Sequence, residues 1–187
     1  MLLIPSLSRG VPWFNSLQDD PAIAADQPHT KYQMYKFYGA YSHIFNGRWP
    51  FSLNNTINLQ YSNRVLFGEK RFIIGGEYSV RGFHDNAVSD DRGISWRNDL
   101  DLPVGRWFSH QRYLQPFKLT LFADAGMTES AYTREHNTLA GWGYGLEYRY
   151  RWFNFYYQQA HALRGDNLFS RPEGWVRYYG AHLKLTF

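Results

Sequence analysis

Apolar and polar residues alternate with a period of two along most of this chain, the mark of strands with two unlike faces. Between positions 51 and 62, Phe51, Leu53, Ile57, Leu59 and Tyr61 share one face, and Ser52, Asn54, Thr56, Asn58, Gln60 and Ser62 share the other. The same pattern predicts strands at about 31–45, 93–102, 117–126, 139–150, 152–163 and 175–187. In the fifth of these seven, Trp142, Tyr144, Leu146, Tyr148 and Tyr150 point one way and Gly141, Gly143, Gly145, Glu147 and Arg149 the other. Asn46-Gly47 marks a tight hairpin turn, and a second turn is expected around Ser109-His110-Gln111. Residues 1–30 carry Pro5, Gly10, Pro12, Pro21 and Pro28 and read as a long surface loop or a truncated start. Residues 31–187 then form one β-domain, broken by a long loop at about 66–92.

Strands of ten residues or more exceed the five or six usual in soluble sandwiches. They suit a transmembrane barrel, in which about nine to eleven residues cross the bilayer and every second one meets lipid. A soluble antiparallel sheet with one buried face is the rival that alternation alone leaves open. The rings favour the barrel: 15 Tyr and 7 Trp stand beside 14 Phe, and amphipathic rings suit a membrane–water boundary. Mean hydropathy is −0.53, and no run approaches the roughly 18 apolar residues of a spanning helix.

The net charge of +4 is spread among mixed signs, as in Glu147-Tyr148-Arg149-Tyr150-Arg151, so nucleic acid is not an expected partner. Cysteine is absent, which removes disulfides and thiolate metal sites. The seven histidines show no ligand spacing, and His182 reads as an inner-face residue; no metal or other cofactor is expected. No nucleophile, phosphate loop or acid–base pair stands out, so no enzyme is predicted. Arg164-Gly165-Asp166 reads as a plain polar loop. Asp85, Asp90 and Asp91 read as solvated loop acids.

One stretch, Ile73-Ile74-Gly75-Gly76-Glu77-Tyr78-Ser79-Val80-Arg81-Gly82-Phe83, departs from alternation. Its glycines allow sharp turning and close packing around one arginine. Read with Asp91-Arg92-Gly93, Arg97-Asn98-Asp99-Leu100 and Phe122-x-Asp124-x-Gly126, it resembles the two-partner secretion transporters, outer-membrane barrels that export hemolysins and adhesins. The wider superfamily includes insertases that assemble other barrels. Gly75, Gly76, Val80, Arg81, Gly82 and Phe83, with Phe122, Asp124 and Gly126, carry the superfamily resemblance; the stretch at 91–100 points to the secretion branch.

The resemblance implies an all-β, antiparallel transmembrane β-barrel, of which this chain holds the C-terminal seven or so of about sixteen strands. It implies that the arginine loop folds into the lumen and that Arg81 meets Asp124 on the inner wall, a side to which the parity of Asp124 also assigns it. It further implies passage of an unfolded exoprotein after docking on periplasmic POTRA domains, without nucleotide or cofactor. The other expected partners are outer-membrane lipid and the barrel-assembly machinery, which would read a last strand ending in Phe187. Rival functions are a barrel-assembly insertase and, in another class, a soluble aromatic-rich module that binds carbohydrate. Length departs from the family: POTRA domains, a plug helix and about nine strands are missing. Seven strands cannot close alone in lipid, where open edges leave backbone groups unsatisfied. Met1 to Leu7 has no basic start and contains Pro5, so it does not read as a signal peptide, and an incomplete chain is expected.

Overall fold

The computed structural model describes residues 1–11, 13, 19–108, 111, 113–165 and 174–184. Eight strands form one antiparallel sheet: β1 (Leu2–Arg9), β2 (Gln33–Phe45), β3 (Phe51–Ser62), β6 (Arg92–Leu102), β7 (Phe117–Glu129), β8 (His136–Tyr150), β9 (Phe153–Gly165) and β10 (Trp175–Leu183). Their order in the sheet follows the chain, with β3 beside β6. Between those two, β4 (Phe72–Ile74) and β5 (Val88–Asp90) make a separate small hairpin. A short helix, α1 (Val104–Trp107), lies in the turn before β7. No helix among the described residues is long and apolar enough to cross a membrane, which says nothing of strands.

Register sorts the side chains into two faces. Paired residues continue across the sheet as rows: Leu53, Leu100, Leu121 and Tyr144 form one such row on the outer face. Tyr35, Tyr61, Trp96, Leu121, Trp142, Leu146 and Tyr179 all stand exposed there. An apolar surface of this breadth needs a cover, and lipid supplies it in a barrel. Strands of 13 residues (β2, β7, β9) and 15 residues (β8) are long enough to cross a bilayer at a tilt. On the inner face, Asn54, Asp99, Phe122 and Gly143 make the matching row.

Two expectations are corrected. Residues 2–9, read as loop, form β1, whose Leu3, Pro5 and Leu7 lie opposite Gly39, Phe37 and Tyr35. Pro5 misleads because proline cannot donate to a ladder, yet β1 is at the edge of the described sheet, where proline is tolerated. Within 66–92, read as loop throughout, the β4–β5 hairpin folds against the inner face. There Ile74, Val80 and Phe83 bury with Leu139 of β8 and Ala162 of β9, flanked by Phe72 and Val88. This core lies between the loop and the sheet, so the loop's position is fixed by packing as well as by polar contacts.

Candidate functional site

The loop reverses direction at Gly75 and Gly76, whose φ angles are +104° and +93°. Four residues after Gly76, Val80 packs against the wall at Gly126: a Cβ there would stand 2.9 Å from a Val80 methyl. Arg81 follows, its side chain 1% exposed. Its carbonyl approaches β8 so closely that a Cβ on Gly141 would fall 2.0 Å from it. Gly82 has φ +105°, a backbone that side chains resist, and a Cβ there would meet the Ala162 nitrogen at 2.9 Å. Its N–H donates to the Tyr178 hydroxyl at 3.3 Å. Phe83 fills the core beyond, fully buried.

Asp124, from β7, receives three hydrogen bonds from Arg81. Nε donates to Oδ2 at 2.6 Å, Nη2 to Oδ1 at 2.8 Å, and the backbone N–H to Oδ2 at 3.1 Å. Nη2 also donates to Asp99 Oδ1, on β6, at 2.6 Å. The guanidinium carbon sits 3.6 Å from the centroid of the Phe122 ring, a cation–π contact. Burial alone would lower the Arg81 pKa, but the hydrogen bond and charge of Asp124, then the charge of Asp99, outweigh it and hold the group above its ordinary value. Such a fork fixes orientation in a way a lysine's point charge does not.

The structure therefore brings Gly75, Gly76, Val80, Arg81, Gly82, Phe83, Phe122, Asp124 and Gly126 into one inner-face cluster, together with Asp99. Arg97 lies on the same face, opposite Asp124 in register. Asn98 and Leu100 have the other parity; Asn98 donates to the Ala123 carbonyl at 3.0 Å, and Leu100 lies opposite Leu121. Phe187 lies outside the described residues, as do Ser109, His110 and Asp166.

Asp90 and Asp91 require a correction, since neither is a solvated acid. Asp91 is 2% exposed; it accepts the N–H of Leu66 at 2.7 Å and of Ala131 at 2.9 Å, and so ties two loops together. Asp90 accepts from the Thr128 hydroxyl at 2.7 Å and the Asn137 amide at 3.1 Å, which pins β5 to the wall. Arg92 donates to the Ser62 carbonyl at 2.8 Å and to Glu129 at 3.0 Å, and Gly93 leaves room for the Phe72 ring. The stretch 90–93 is thus the loop's second anchor. Asp85 is exposed beside His84. A third tie, which the sequence did not reveal, joins the loop tip to β9: Tyr156 donates to Glu77 at 2.8 Å, with His182 of β10 stacked on the Tyr156 ring. Tyr78, beside Glu77, is 81% exposed. Among the described residues, no group of three acidic or histidine side chains is placed to hold a metal ion.

An antiparallel meander with an apolar outer face and a loop clamped to its polar inner face is the architecture of an outer-membrane β-barrel. Residues 2–148 match the model of one family, the haemolysin secretion/activation protein ShlB/FhaC/HecB, and the chain belongs to that family. It is 32% identical over 97 residues to the outer membrane transporter CdiB of Dickeya dadantii (strain 3937), covering 52% of this chain and 17% of that protein. It is 29% identical over 163 residues to the hemolysin transporter protein HpmB of Proteus mirabilis, covering 83% of this chain and 26% of that one. Among solved structures, CdiB from Escherichia coli superposes with a TM-score of 0.78 at 23% identity, over 97% of this chain and 33% of its own. CdiB from Acinetobacter baumannii gives 0.68 at 21% identity, over 82% and 27%. These last two likenesses establish the fold. The chain spans about a quarter or less of the length of the curated relatives named here. Its place is the bacterial outer membrane.

Proposed function

We propose that this chain forms part of the barrel of a two-partner secretion transporter, through which an unfolded exoprotein crosses the outer membrane. The observation that carries the reading is the Arg81–Asp124 clamp, which joins the inward-folded loop to the inner wall in a member of this family. The inner face is polar, so it can pass a hydrated chain without binding it tightly. The loop occupies part of that space. Its three ties, at Arg81, at Asp90–Asp91 and at Glu77, are separable hydrogen-bonded contacts, and freeing the segment between the outer two requires release of the first together with the packing of Val80 and Phe83. Transport is a cycle of docking and release at this clamp, biased outward by folding of the exoprotein beyond the membrane. Catalysis is not part of this reading. Periplasmic POTRA domains would deliver the exoprotein, and the barrel-assembly machinery would insert the barrel.

The test uses the native gene product in its own outer membrane. Arg81→Ala is expected to abolish or sharply reduce secretion of the partner exoprotein while the barrel still assembles, read as heat-modifiable migration on gels. Undiminished secretion by that variant would remove the clamp from the mechanism.

A further inference from the structure

Asp124 and Asp99 stand on adjacent strands of the inner face, and Arg81 bonds both oxygens of Asp124 and Oδ1 of Asp99. A second guanidinium stands beside them. Arg97 is two residues before Asp99 on β6 and directly opposite Asp124 of β7. Directly opposed residues of an antiparallel pair lie within about 5.5 Å at Cβ, near enough for a long side chain to reach a carboxylate. Arg97 is within electrostatic reach of Arg81, Asp124, Asp99 and Glu77. Yet it forms no ion pair among the described residues, and its buried Nε has no hydrogen-bond partner. Arg81 takes Oδ2 of Asp124 through Nε, Oδ1 through Nη2, and Oδ1 of Asp99 as well, so it holds the bidentate position on Asp124 that Arg97 would otherwise compete for. A buried guanidinium nitrogen left unpaired is costly in the docked state, and a displaced state in which it gains a carboxylate would recover that cost.

We infer that Arg97 is the relief partner of this site: when Arg81 leaves, Arg97 turns onto Asp124 and Asp99. Without it, departure of Arg81 would leave two carboxylates as diagonal neighbours on adjacent strands with no cation between them, a like-charge arrangement that opposes release. With it, the displaced state keeps one cation against the two acids, a net charge of −1 in place of −2. The site is thus two cations that share two acids, one cation on the moving loop and one on the fixed wall. Arg97 is a positioning residue, and its part in transport rests on the loop motion proposed above.

A thermal double-variant cycle tests this without using secretion. The native gene product is heated in outer-membrane fractions, and the midpoint of heat-modifiable migration is read for Arg97→Gln, Arg81→Ala and both together. Arg97→Gln alone is expected to move the midpoint by no more than about 2 °C, because Arg81 already serves both acids. The double variant is expected to fall at least about 5 °C below the sum of the single shifts. Adding Asp124→Asn to the double variant is expected to recover most of that excess, and to restore assembly if the double variant fails to assemble. Additive shifts, an equal loss from Arg97→Gln in both backgrounds, or no recovery with Asp124→Asn would overturn the inference. A native protein that secretes nothing would refute the transport reading and leave this cycle's result standing.

Discussion

Replacing Asp124 with Asn keeps the shape of the clamp and removes its charge. In the native site the carboxylate accepts three hydrogen bonds from Arg81, at 2.6, 2.8 and 3.1 Å, with the Asp124 side chain fully buried. An amide oxygen placed at Oδ2 retains the Nε and backbone bonds, but as neutral acceptors of roughly half the strength. The amide nitrogen then faces Nη2, donor against donor, and that bond is lost. One charge-assisted bond is worth about 1.5–3 kcal/mol and the weakening of the others about 1 kcal/mol, so the docked loop loses about 3 kcal/mol. By the rule that 1.4 kcal/mol is tenfold, the undocked population rises about 100-fold. Val80 offers the readout, since it is fully buried beneath the loop and the chain has no native cysteine. In a Val80→Cys background, Asp124→Asn is expected to speed maleimide labelling of the folded barrel by about 100-fold. Acceleration of less than about threefold would show that the ion pair does not hold the loop, and that apolar packing around Ile74 and Phe83 suffices.

Two further perturbations probe the backbone and the lipid face. Gly82→Ala places a Cβ at φ +105°, 2.9 Å from the Ala162 nitrogen; it is expected to cost about 1–3 kcal/mol of loop docking and to speed the same labelling accordingly. Leu121→Arg puts a charge on the outer face between Leu100 and Tyr144; a loss of about 2–4 kcal/mol is expected, seen as a lower heat-modification midpoint, and no loss would mean that this face does not meet hydrocarbon.

The strands were legible because their outer-face alternation is strong: Tyr144, Leu146 and Tyr148 can share a face only in an extended chain. The side occupied by Asp124 was legible for the same reason. β1 was not, since Pro5 and Gly10 signal loop wherever sheet context is unknown. The β4–β5 hairpin has three residues per strand, too few for periodicity to show. Asp90 and Asp91 look like solvated acids because a polar run reads alike whether it meets water or caps backbone N–H groups of distant loops; only the fold brings Leu66 and Ala131 to Asp91. Asp99 could be placed on the inner face by parity, but its contact with Arg81 depends on the β6–β7 register, which pairs it with Phe122. Tyr156 and Glu77 are 79 residues apart and carry no joint signal.

In the proposed transport the exoprotein passes along the inner face, beside the arginine loop. A photo-crosslinking residue at Tyr78, the exposed loop tip, tests it directly when secretion is stalled in cells. Capture of the exoprotein is expected from position 78 and not from Leu121 on the outer face. Equal capture from both positions, or capture from Leu121 alone, would contradict it.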